Sequence, residues 1–240
     1  MTPVQIIAFN SSPRDNRTSK TELVLQAFLN GARRGGAAAE TLYLRQYRIN
    51  HCLGDFGCWF KTPGRCVQQD DMSRLLFPHL LEADLAVLAT PLYHYNMNAC
   101  MKAFIERTLP LVPPPGEDAG DGSPQSRLPR VAALSVCAFP DQATFQALSL
   151  NMRLIFGERL VAEIYRHSSE ALAAPPLAAK VQEVLAAATR AGEELVQQGR
   201  INPGTLEALT QDLAPREELM RLGGEFFRRE REKYVQDRPH

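Results

Sequence analysis

The sequence predicts an α/β protein: a five-stranded parallel sheet between two layers of helices, with a helical extension at the C-terminus. Three observations predict it. Strand-like and helix-like segments alternate through residues 1–200. Residues 84–90 (DLAVLAT) and 131–136 (VAALSV) are apolar almost throughout, as strands covered on both faces are. Successive strand candidates lie about 30 to 45 residues apart, roughly one strand–helix unit each.

Residues 4–9 (VQIIAF) form the first strand, ended by Asn10-Ser11-Ser12-Pro13. A helix follows in which Leu23, Val24, Ala27, Phe28 and Gly31 share a face, with Ser and Thr residues placed to cap it. Residues 41–44 are the second strand. A polar, glycine-rich stretch of about 25 residues comes next, and connections of that length in a compact domain usually carry function. Asp70 or Asp71 caps a helix bearing Met72, Leu75, Leu76 and Leu80. The third strand, 84–90, is halted by Pro91. Residues 99–109 are the third helix, 131–136 the fourth strand, 144–156 the fourth helix and 160–165 the fifth strand. An Ala- and Leu-rich helix, 177–197, closes the unit.

Two segments stand outside this scheme. Residues 110–129 (PLVPPPGEDAGDGSPQSRLP) read as a mobile insertion rich in Pro, Gly and acid. Residues 201–240 form a charged tail, with helices expected near 205–213 and 216–234. Its Leu219, Leu222, Phe226 and Phe227 need a surface to pack on, either the domain's own back or a partner subunit.

Lys+Arg and Asp+Glu number 27 each, so there is no basic surplus of the kind that nucleic acid or anionic lipid selects. No apolar run is long enough to span a bilayer, and the first residues lack the features of a signal peptide. Cysteines number 5, and Cys52, Cys58 and Cys66 crowd one short stretch; that arithmetic speaks against a secreted disulfide framework and for a cytoplasmic protein.

The sharpest local signal is the turn from the first strand into the first helix. A helix N-terminus there offers free backbone N–H groups, and Ser12, Arg14, Asn16, Thr18 and Ser19 add hydroxyl, amide and guanidinium donors. The set suits a phosphate monoester. Neither GxGxxG nor GxxxxGK[ST] is present, which speaks against a dinucleotide fingerprint or a P-loop. The bland alternative is a polar turn that only caps its helix.

Residues 10–21 resemble the N-G-S-P-R-x-N-x-x-[ST] phosphate loop of flavodoxin-like NAD(P)H-dependent FMN oxidoreductases, the group of the NADPH-dependent FMN reductases and iron–sulfur flavoproteins. Ser11 stands where that family has Gly. Residues 52–72, including Cys58-Trp59-Phe60-Lys61-Thr62-Pro63-Gly64-Arg65-Cys66 and Asp70-Asp71-Met72, resemble the family's C-x-x-C-x-x-C-W-x-K-T-P-G-x-C…D-D-M stretch. Its iron–sulfur members hold a [4Fe–4S] cluster on four such cysteines. Here Asp55 occupies the second position, a harder and weaker cluster ligand than thiolate. Cys52, Cys58 and Cys66, with Asp55 or His51, are therefore poor cluster or zinc ligands; a loop that covers the flavin is the expected role. Trp59 and Phe60 serve equally as an aromatic wall or as core.

Residues 90–99 resemble the family's flavin loop. The resemblance implies that Pro91, Leu92, Tyr93, His94, Tyr95 and Asn96 meet the isoalloxazine ring, with Phe139, after the fourth strand, on its far side. It implies a flavodoxin-like three-layer sandwich carrying FMN, NAD(P)H as co-substrate, a small-molecule electron acceptor, no side-chain nucleophile, and a homodimer or homotetramer. Two alternatives remain open at this point. One is an electron-transfer flavoprotein with a degenerate iron–sulfur site; the other is a flavin-free interaction module on the same fold.

Overall fold

The computed structural model describes residues 2–114, 116 and 128–236. Five strands, β1 (Gln5–Asn10), β2 (Ala38–Tyr43), β3 (Leu85–Tyr93), β5 (Arg130–Val136) and β6 (Leu160–Arg166), pair in parallel in the order β2-β1-β3-β5-β6. A short strand, β4 (Asn96–Met97), turns back antiparallel on the end of β3. From β1 the chain winds first to one side, to β2, and then to the other, to β3. That reversal opens a crevice outside the carboxyl ends of β1 and β3.

The faces of the sheet bury separate clusters. On one, Ile6, Ala8, Val87, Leu134 and Ile164 meet α1 (Lys20–Arg34) and α6 (Ala178–Gln198). On the other, Phe9, Leu88 and Ala133 meet α3 (Phe77–Glu82), α4 (Ala99–Glu106) and α5 (Gln146–Phe156). α1 and α6 touch backbone to backbone. A Cβ on Gly31 would lie 1.7 Å from the Thr189 carbonyl oxygen, and one on Gly192 would lie 1.9 Å from that of Phe28, so only glycine fits at either place.

The expected layers and strand count hold, and three local expectations are corrected. The helix expected from Asp70 or Asp71 opens as a π-turn over Met72–Leu76 before α3. Pro78 lies in the first turn of α3 and has no N–H to give, and the wider turn absorbs the misfit. The changed period leaves Leu75 exposed. Pro91 does not halt β3, which pairs on through Pro91↔Val136 to Tyr93. β1 has ended its pairing at Ala89, so that flank of β3 has no ladder for the missing N–H to break. The third helix ends at Glu106, with a 3₁₀ turn over Leu109–Leu111. Most of the expected insertion, residue 115 and residues 117–127, lies outside the described residues.

The extension carries α7 (Pro203–Thr210) and α8 (Arg216–Gln236). Arg166, fully buried at the end of β6, donates to the carbonyls of Leu209 (3.0 Å) and Gln211 (2.6 Å), and His167 Nε2 lies 2.9 Å from that of Thr210. These side chains satisfy the carbonyls that the end of α7 leaves unpaired. Burial pushes the Arg166 guanidinium down to about 10. Leu219 and Leu222 of α8 pack on the α1–α6 cluster, while Phe226 and Phe227 remain exposed.

Candidate functional site

The loops after β1, β3 and β5 meet at the crevice. The first is built from beneath. Asn10, fully buried, donates to Glu22 Oε2 (2.7 Å) and accepts the Ser12 amide (2.8 Å). Glu22 Oε1 accepts from the Tyr43 hydroxyl (2.8 Å) and from Gln26 (3.0 Å). Burial, then the Glu22 carboxylate, raises the Tyr43 phenol above its ordinary value. Ser11 sends its amide (2.9 Å) and hydroxyl (3.3 Å) to the Ala89 carbonyl. It is not among the residues in the left-handed region, so the turn does not need the glycine of the family pattern.

Ser12 and Ser19 are buried side by side. The Ser19 hydroxyl donates to Ser12 (2.8 Å) and accepts the Glu22 amide as the cap of α1 (3.1 Å). Ser12 thus keeps a proton to give. The amides of Lys20 and Thr21, the first two of α1, have no protein partner among the described residues. The other expected phosphate ligands form the rim and are engaged elsewhere. Arg14 pairs with Glu170 (2.9 Å), Asn16 accepts from Arg45 (2.8 Å), and the Thr18 hydroxyl turns to the Asp15 carbonyl (3.4 Å). Asp15 takes the amides of Arg17 (2.8 Å) and Thr18 (3.1 Å), which lower its carboxyl below the usual range.

Asn98 locks the first loop to the second. Its side chain donates to the Ser11 carbonyl (2.7 Å) and caps α4 by accepting the Met101 amide (3.1 Å), while its own amide reaches Thr90 Oγ1 (3.1 Å). Ahead of it, His94 (φ 47°) and Tyr95 (φ 63°) form a two-residue turn between β3 and β4, both left-handed. Of the expected ring contacts, Pro91 and Leu92 are buried, Asn96 is half-buried, and Tyr93, His94 and Tyr95 face outward. Across the crevice lies Phe139, also exposed, its ring 5.6 Å from that of Tyr95 and within 5° of parallel. Beneath it Cys137 is buried against Thr144, and burial pushes its thiol up.

The cysteine stretch is anchored by its ends. Asp70 and Arg107 form a fully buried ion pair, with Arg107 NH2 3.0 Å from Asp70 Oδ1. Asp70 also takes the amides of Asn50 (3.0 Å) and Met72 (3.1 Å), and Arg107 donates to the Asn50 carbonyl (3.0 Å). Burial works against the Asp70 carboxylate, but Arg107 and the two amides outweigh it and hold the carboxyl below its usual range. Between these ends comes α2 (Gly57–Phe60), where Phe56 stacks on Trp59 at 5.4 Å. Trp59 donates to the Val112 carbonyl (2.9 Å), while Phe60 is 77% exposed.

The donor set here is three thiols and a carboxylate. Asp55 Oδ1 accepts the Gly57 amide (3.2 Å), and Cys52 Sγ lies 3.4 Å from the Gly54 amide. Burial, then the neighbouring Cys66, pushes the Cys58 thiol up. His51, Cys66 and these groups gather into no metal-holding set among the described residues.

Sequence reasoning names Asn98 as a polar contact of the flavin loop but not as its tie to Ser11, and it missed Glu22, Asp70 as an ion-pair partner, and Arg107. Glu22 had a signal: Ser19-Lys20-Thr21-Glu22 is a capping-box pattern. Its side chain turns to Asn10 instead of back to Ser19.

Residues 4–162 match the family described as NADPH-dependent FMN reductase. An iron–sulfur flavoprotein of Archaeoglobus fulgidus is 35% identical over 108 residues, which is 45% of this chain and 46% of that one. One from Methanocaldococcus jannaschii is 30% identical over 108 residues, 45% of this chain and 53% of that one. The chain thus spans about half the length of the curated relatives it matches. Among solved structures, an NAD(P)H:quinone oxidoreductase from Methanothermobacter marburgensis superposes with a TM-score of 0.61 at 17% identity, covering 81% of this chain and 96% of that one. An FMN-dependent NADH-azoreductase from Bacillus anthracis, in complex with FMN, gives 0.55 at 13% identity, covering 84% and 100%. At these identities the likeness is one of fold.

Proposed function

The chain belongs to the NADPH-dependent FMN reductase family, and from that premise we propose that it is an FMN-dependent NAD(P)H oxidoreductase delivering electrons to a small acceptor such as a quinone, a free flavin or a ferric chelate. The observation that carries this reading is the Ser12–Ser19 pair at the head of α1, with the Lys20 and Thr21 amides beside it. Anions are favoured at such a place by the helix dipole and unpaired N–H groups. Ser12 and the two amides hold the FMN phosphate. Tyr93, Tyr95 and Phe139 present flat apolar surface for its ring, and Asn98 keeps the two loops in register. When bound, FMN supplies the electron-transfer chemistry between nicotinamide and acceptor. The protein's part is to position both and to exclude water from one ring face, and no side-chain nucleophile is required.

No helix among the described residues is long and apolar enough to cross a membrane. Five cysteines without disulfides agree with work in the reducing cytoplasm.

Equilibrium binding of FMN and of riboflavin, which lacks the phosphate, tests the reading. FMN binds at least about tenfold more tightly than riboflavin, and Ser12→Ala removes most of that difference, since one charge-assisted hydrogen bond is worth about 1.5–3 kcal/mol. Equal affinities for the two flavins would sink the phosphate site. FMN-loaded protein that oxidises neither NADH nor NADPH with any acceptor would sink the enzyme.

A further inference from the structure

A cavity of about 390 Å³ lies between the sheet and α3, α4 and α5. The space follows from side-chain size. Ala86 faces these helices from the middle strand, with Val131 beside it in register, and neither fills the gap to Phe104 and Phe156. Protein interiors leave few voids larger than a water molecule, so a space of this size is a feature of the fold. It falls within the range of about 300–1,000 Å³ that small-molecule sites occupy. Its floor is at the amino end of β3. Seven residues separate Ala86 from Tyr93, roughly 23 Å of strand, so the loops of the crevice do not reach it.

The lining sets the chemistry of an occupant. Of the side chains around the cavity, only Thr108 and Arg159 are polar. The Thr108 hydroxyl donates to the Ile105 carbonyl (2.7 Å), so its proton is spent. Water finds few partners there, and apolar cavities stay dry or take up hydrocarbon. Val112, Ile155 and Arg159 are the exposed members of the lining and mark its mouth. Arg159 NH1 donates to the Leu128 carbonyl, which holds the guanidinium in place. Its remaining N–H groups have no protein partner among the described residues. An apolar space with such a cation at its mouth matches a molecule with a hydrocarbon body and a carboxylate at one end, since the guanidinium fork fits that group.

We propose that this cavity is a second binding site, which takes an apolar monocarboxylic acid. The chain or ring of the ligand fills the space, and its carboxylate pairs with Arg159. The site is separate from the crevice, so it stands whether or not the chain binds FMN.

Calorimetric titration of the full chain with octanoate tests this. Octanoate binds saturably, one molecule per chain, with a dissociation constant below about 1 mM, and excess FMN does not displace it. Arg159→Gln weakens octanoate by about tenfold, because a charge-assisted pair is lost. The same variant leaves the affinity for octanol, which has the chain without the charge, where it was. Ala86→Leu grows into the floor of the cavity and weakens octanoate and octanol alike by about tenfold or more, with circular dichroism unchanged. Arg159 lies at the surface, so its variant folds and decides the matter even where Ala86→Leu does not fold. The proposal is overturned if no saturable binding of octanoate occurs up to about 1 mM. It is equally overturned if FMN displaces octanoate, if Arg159→Gln binds octanoate as the wild type does, or if a folded Ala86→Leu does.

Discussion

The loop after β1 and the cysteine stretch between β2 and α3 are both polar connections of one parallel sheet, and they are held in opposite ways. In the first, side chains bond to side chains beneath the loop: Asn10 to Glu22, Ser19 to Ser12, with Tyr43 and Gln26 closing on Glu22. The amides of Lys20 and Thr21 above are left without a protein partner among the described residues. In the second, the ends are pinned by the Asp70–Arg107 pair and the middle satisfies its own backbone, Asp55 on Gly57 and Thr62 on the carbonyl of Arg65. The comparison teaches that two polar connections of one sheet are ordered differently, one by side chains beneath it and the other at its ends.

The largest effect separating the two comes from Asp70→Asn. It leaves Arg107 buried without its counter-charge, and breaking such a pair from one side costs about 3–5 kcal/mol. Chemical denaturation of the flavin-free protein measures it. The comparison sharpens if FMN affinity per folded molecule is unchanged, and it breaks if FMN binding falls in step with stability. Asn98→Ala acts in reverse. It removes the cap of α4 and the tie to Ser11, costing about 1–2 kcal/mol of stability. It also weakens FMN binding severalfold, because the first two loops lose their register.

The sheet was legible because its signal is local. The short apolar runs of β3 and β5, bounded by turn residues, read as strands buried on both faces, and the polar turn after β1 marks its own end. What escaped is non-local or chemically quiet. Asp70 and Arg107 are 37 residues apart, and nothing near either one announces the other. The β3–β4 hairpin turns on His94-Tyr95, where the usual signal is Asn-Gly; a turn with two left-handed non-glycine residues breaks the local rule. In the first loop, residue types do not give the direction of each side chain. Arg14, Asn16 and Thr18 read as phosphate donors, and the fold engages each with a neighbour.

Acid sharpens the comparison with the smallest perturbation. Asp70 has its carboxyl held below the ordinary 3.8 in the folded chain. Its contribution to stability is therefore complete above that value and is lost as pH falls through the folded-state value. In the first loop the carboxyl held low is that of Asp15, on the exposed rim and away from the buried Ser12–Ser19 pair. The chain's single tryptophan, Trp59, lies in the cysteine stretch, with its indole N–H on Val112 and its ring on Phe56. Below about pH 4, Trp59 emission shifts to the red before the far-UV circular dichroism of the sheet and helices is lost, because the pinned loop lets go first. Asp70→Asn shows the shifted emission already at neutral pH. If the emission and the circular dichroism of the wild type change together, the cysteine stretch is no weaker a unit than the body, and the two loops differ in what they offer a ligand but not in how firmly they are held.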